Sequence, residues 1–95
     1  MAYTWTTQIH NTTAGRSRVQ LETWVHMAHG WELTGIMQCN TLDDAYEVAG
    51  TIRADHAFLD KFRSPVIIAA VRFTPRGHHR LVTWHGSYVE GDTDA

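Results

Sequence analysis

Between Val19 and Phe73 the spacing of apolar residues changes from two to about 3.6 and back again, which predicts strand, strand, helix, strand. Ahead of that stretch, Tyr3 to His10 alternates, with Tyr3, Trp5, Thr7 and Ile9 on one side and Thr4, Thr6, Gln8 and His10 on the other. Its aromatic and β-branched content suits a strand. Asn11 to Arg18 is polar, contains Gly15 and predicts a loop. Val19 to Ala28 sets Val19, Leu21, Thr23, Val25 and Met27 against Gln20, Glu22, Trp24 and His26. Trp31 to Cys39 sets Trp31, Leu33, Gly35, Met37 and Cys39 against Glu32, Thr34, Ile36 and Gln38.

Directly opposed residues of an antiparallel pair share a face, so the loop between these two strands decides which side chains lie together. A two-residue loop at His29-Gly30 would pair Met27 with Glu32 and mix the faces. A three-residue loop, Ala28-His29-Gly30, pairs Met27 with Trp31, Val25 with Leu33 and Leu21 with Met37. The longer loop is therefore expected, with Gly30 at a left-handed position.

Thr41 is a suitable N-cap, with Asp43 and Asp44 in the first turn where the helix dipole favours negative charge. Leu42, Ala45, Tyr46, Val48, Ala49 and Ile52 then recur at helical spacing. Gly50 weakens the interior by up to about 1 kcal/mol relative to Ala and would permit close packing on a sheet. A break near Ala54-Asp55 lets Asp55 cap a short second helix through Phe62, with Phe58, Leu59 and Phe62 facing inward. Ser64-Pro65 ends it. Val66 to Thr74 is apolar on both faces, as an interior strand requires. A turn at Pro75-Arg76-Gly77-His78 pairs Phe73 with Arg80, Val71 with Val82, Ala69 with Trp84 and Ile67 with Gly86. Arg80 to Val89 is the fifth strand. No internal repeat is visible.

The expected fold is α+β. A single antiparallel or mixed sheet of about five strands, in the order β-β-β-α-β-β, carries one main helix and a short second helix on one face. Residues 1–89 form one domain, and Glu90 to Ala95 a frayed acidic tail.

Ten acidic and eight basic residues give a formal charge of −2, which speaks against binding driven by phosphate charge. Cys39 is the sole cysteine, so no intramolecular disulfide forms. The first residues lack a basic n-region and an apolar h-region, and no apolar run approaches the ~20 residues of a membrane span. A cytoplasmic protein with no membrane partner is expected.

Seven histidines raise the question of a metal site, but their spacing gives no tight ligand motif. Cys39 precedes a helix N-terminus, where a thiol is activated, yet it shares a side with Met37 and reads as a buried thiol. Asp43, Asp44 and Glu47 read as capping charges. No GxSxG, phosphate loop or Ser-His-Asp spacing occurs. An enzyme is not expected, and no cofactor or metal.

Two surfaces remain. Arg72, Arg76, His78, His79 and Arg80 make a basic hairpin tip, with Phe73 and Trp84 near in sequence for stacking a base. The sheet side away from the helices is the stronger candidate. Trp24, His26 and Ile36, with Ile68, are expected there, and Trp5 belongs to a strand not yet placed. Tryptophan is enriched at binding hot spots, and four in this chain favour a protein partner or a second copy in a homodimer.

The segment Gly30 to Ala54, GWELTGIMQCNTLDDAYEVAGTIRA, resembles the strand–TLDDA–helix unit of small α+β accessory proteins encoded by phages and mobile elements of GC-rich bacteria. The resemblance implies a protein that binds and modulates a host or defence component.

Overall fold

The computed structural model describes residues 2–10 and 18–90. The expected loop at Asn11 to Arg18 lies outside them but for Arg18, as does the tail beyond Glu90. Strand β1 spans Ala2–Ile9, β2 Val19–Met27, β3 Gly30–Cys39, β4 Val66–Thr74 and β5 Gly77–Val89. Helix α1 spans Leu42–Ala54 and α2 His56–Phe62, between β3 and β4. The five strands form one fully antiparallel sheet in the order β1-β5-β4-β2-β3.

Both helices start where side-chain caps satisfy free amides. The Thr41 hydroxyl accepts from Asp44 N at 3.1 Å. Asp55 Oδ1 accepts from Phe58 N at 3.1 Å, so the same residue ends α1 and begins α2. Arg63, at φ 54°, closes α2 in the left-handed region. Ala45 and Ala49 of α1 and Leu59 of α2 are buried against Val19, Leu21, Val25, Val66, Ile68, Ala70, Val82 and Trp84. Burying each of the larger side chains contributes about 1.5–3 kcal/mol. Both helices pack on this one side of the sheet. Gly50 makes no close approach to the sheet: a Cβ there would meet only Arg53 Nη2, at 3.8 Å.

Both hairpins differ from the register expected above. In β2–β3 the loop is Ala28-His29, and Met27 pairs with Gly30, His26 with Trp31 and Trp24 with Leu33. Thr34 is then an extra residue, and the ladder resumes at Thr23–Gly35 and Leu21–Met37. In β4–β5 the loop is Pro75-Arg76, with Thr74 opposite Gly77 and Val71 opposite Arg80. Leu81 is the extra residue before Ala70–Val82 and Ile68–Trp84. Each bulge reverses the phase of side chains within its strand. Trp31 and Leu33 therefore lie on the side opposite Met37, and Ile68 on the helix-covered side, contrary to expectation.

The two hairpins share one backbone plan. Each position of residues 19–39 has a counterpart 47 residues on: Met27 and Thr74, Gly30 and Gly77, Thr34 and Leu81. Gly30 and Gly77 open the returning strands at φ 125° and 128°, where glycine is favoured. β2 and β4 pair about a local two-fold that passes through Glu22–Ala69, since Leu21 pairs with Ala70 and Thr23 with Ile68. The repeat is one of backbone geometry, and the side chains hide it. β1 is then an addition along the outer edge of β5.

No helix of the described residues is long and apolar enough to cross a membrane.

Candidate protein-binding face

The sheet side without helices is built from alternate residues of all five strands. Across its middle run Thr6, His85, Ile67, Trp24 and Leu33, and alongside them Gln8, Thr83, Ala69, Glu22 and Ile36. His26 and Trp31 pair at one end. Trp24, His26 and Ile36 thus come together as the alternation of β2 and the second half of β3 requires. Trp31, Leu33, Ile67 and Phe73 join them. The signal for Trp31 and Leu33 lay in the sequence, because apolar residues move from odd positions (31, 33) to an even one (36) within one strand. That shift is what a bulge produces.

Trp5 does not belong to this face. It stacks on Tyr3 on the helix side, with centroids 5.7 Å apart, above Gly86. Tyr3 explains why β1 holds there: its hydroxyl donates to Ser64 O at 2.9 Å and to Leu59 O at 3.3 Å. Burial, then the nearby Tyr88 and Asp60, raise the Tyr3 pKa.

Trp31 is 44% exposed, Leu33 36% and Ile36 55%, so this patch of apolar surface is open to solvent. Trp24, Trp31, Ile67 and Arg80 line a shallow depression of about 290 Å³. Its indoles are held in place. Trp24 Nε1 donates to Glu22 Oε1 at 3.1 Å, and the His26 ring meets Trp31 edge-on at 5.2 Å. Glu22 is only 5% exposed although no helix covers it. Its other oxygen accepts from Gln20 Nε2 at 2.9 Å and faces His78 Nε2 at 3.4 Å, while Gln38 Nε2 donates to Gln20 Oε1 at 2.7 Å. A carboxylate that desolvated is tolerated because these donors satisfy it.

The basic tip is divided between the two sides. His78 and Arg80 lie on the open face, whereas Arg72 and His79 pair on the other. Arg76 occupies the turn. Trp84 cannot stack a base: it is 1% exposed, beneath Tyr46 and Arg53 of α1. Phe73 is the accessible aromatic of this tip, 4.9 Å from the His78 ring.

Among the histidines, His10 Nε2 and His85 Nε2 lie 3.1 and 3.0 Å from the buried Thr83 hydroxyl. That hydroxyl carries one proton, so with both rings neutral it donates to one and accepts from the other. Among the described residues no group of three or more His, Cys, Asp or Glu side chains is placed to hold a metal ion. Cys39 is buried, and burial followed by the charge of Asp44 raises its pKa, so the neutral thiol is favoured at neutral pH. Comparison with protein-family models, with curated proteins and with solved structures finds no match for the chain.

Proposed function

We propose that the chain is a small non-enzymatic binding module that docks a protein partner on its open sheet face. The observation that carries this reading is the contiguous patch of Trp24, Trp31, Leu33, Ile36 and Ile67 on the side without helices. An interface gains most where rigid aromatic anchors are already in their bound geometry, because little side-chain entropy is then lost on association. The Glu22 bond to Trp24 and the edge-on His26–Trp31 contact supply that order. A phage-type accessory protein of the kind suggested by the TLDDA segment would use such a face to bind and modulate a host or defence protein in the cytoplasm.

The test is quantitative affinity capture from cells, with wild type and Trp24→Ala compared protein by protein. A specific partner should be retained by wild type and at least tenfold less by the variant, a loss of ~1.4 kcal/mol or more. Equal retention of every captured protein would remove the reading. A second reading, contact with nucleic acid, rests on the exposed Arg76, Arg80 and Phe73 at the hairpin tip. It predicts that Arg76→Ala/Arg80→Ala abolishes retention of an oligonucleotide.

A further inference from the structure

β3 is the strand whose surroundings are least complete. The local two-fold that relates the hairpins makes its outer edge the counterpart of the outer edge of β5. The β5 edge is filled by β1 over eight residue pairs, whereas among the described residues β3 pairs with β2 alone. Exposed edges are ordinarily protected by charge, proline, short length or a bulge, and of these β3 has the bulge at Thr34. β3 is ten residues long, holds no proline or lysine, and has Glu32 as its one charged residue. The outward edge of β1 lacks charge and proline, but its open-face positions Thr4, Thr6 and Gln8 offer no large apolar side chain. β3 also exposes apolar side chains on both sides, Trp31, Leu33 and Ile36 on the open face and Met37 beside the helices. A single added strand would cover both.

The backbone says which strand fits. His26 N donates to Pro65 O, on the β4 side. Antiparallel ladders alternate, so Val25 bonds toward β3 and His26 does not. Carried across the bulge, this turns the backbone groups of Trp31, Leu33, Ile36 and Gln38 outward. The phase reversal at Thr34 makes this edge complementary to itself. Set antiparallel about a two-fold between Thr34 and Gly35, Trp31 meets the partner's Gln38 and Leu33 the partner's Ile36. Every outward-turned residue then opposes another, giving roughly eight ladder hydrogen bonds. Open-face residues meet open-face residues, and Glu32 meets the partner's Met37 on the helix side. Leu33 and Ile36 of both copies close into one apolar cluster at the axis.

We infer that β3 pairs antiparallel with β3 of a second copy of this chain in that register, joining two five-stranded sheets into one of ten. This pairing is separate from the face-docking reading, since Trp24 on β2 takes no part in it. It leaves two aromatic patches side by side on a continuous surface.

Light scattering should give twice the 10.8 kDa chain mass, and the amides of Trp31, Leu33, Ile36 and Gln38 should resist hydrogen exchange. Leu33→Lys/Ile36→Lys should halve the mass, whereas Trp24→Ala should leave it unchanged. Register is read by cross-linking in a Cys39→Ser background. Glu32→Cys/Met37→Cys should oxidise to a covalent dimer, and Glu32→Cys/Gly35→Cys should not. Residues 32 and 37 are roughly 16 Å apart within one strand, beyond the reach of a disulfide of the same chain. All three cross-linking positions are exposed or half-buried, so the introduced cysteines do not disturb the core. A monomeric mass with freely exchanging β3 amides would overturn the inference. So would protection that appears only when a different protein is added, or a dimer that cross-links in the second register alone.

Discussion

At the scale of single residues, Gly50 and Gly86 separate a glycine that the fold merely tolerates from one that it needs. Gly50 sits inside α1, where glycine costs about 0.5–1 kcal/mol relative to Ala. A Cβ there would touch only Arg53 Nη2 at an ordinary 3.8 Å. Gly50→Ala should therefore stabilise the protein by about 0.5–1 kcal/mol, read from the denaturation midpoint. At Gly86 an added Cβ would lie 2.6 Å from Cζ3 of the Trp5 ring. Trp5 would have to move off the core edge it shares with Tyr3, so Gly86→Ala should cost about 1–3 kcal/mol. If the two variants shifted stability equally, the placement of Trp5 over Gly86 would be wrong. The pair also shows what a one-letter string conceals. Both positions are glycine, and only the neighbouring strand, 81 residues away in the case of Trp5, tells them apart.

At the scale of elements, strand and helix positions were legible because period and capping are local. Thr41 and Asp55 announced both helix starts, and Asp55 accounted for the break between them. Register was less legible, because an extra residue leaves the alternation on either side intact while reversing its meaning. The Trp31–Leu33–Ile36 spacing and the adjacent Leu81 and Val82 were the traces of the two bulges. Strand order was not legible, since β1 reaches β5 through contacts that no local pattern encodes. The bulge reading has a direct test. Removing Thr34 should leave a regular ladder with Trp24 still opposite Leu33 and both still on the open face. Its cost should be near 0.5–1.5 kcal/mol, the net value of the Thr34 Oγ1 to Thr23 O hydrogen bond that is lost. Cross-strand proton contacts between Trp24 and Leu33 that vanish in the deletion variant would show that Thr34 sets the register and is not an insertion within it.

At the scale of the whole molecule, the question is whether charge or apolar surface governs association. The chain has a formal charge of −2, and its exposed cations on the hairpin tip are few. If Arg76, Arg80 and a protonated His78 each met a phosphate of a single strand, binding would weaken with a log–log salt slope of about −2. His78 is already directed at Glu22, which reduces that figure toward the two arginines. On the open face Arg80 borders the depression, but the patch of Trp24, Trp31, Leu33, Ile36 and Ile67 is itself uncharged, and docking on it would proceed by removing apolar area from water, which added salt does not oppose. Titrating the captured partner across a tenfold range of salt should therefore change its affinity by less than about threefold. A fall of about 25-fold or more over the same range, the slope of two phosphate contacts or more, would favour the hairpin tip over the apolar patch as the binding surface.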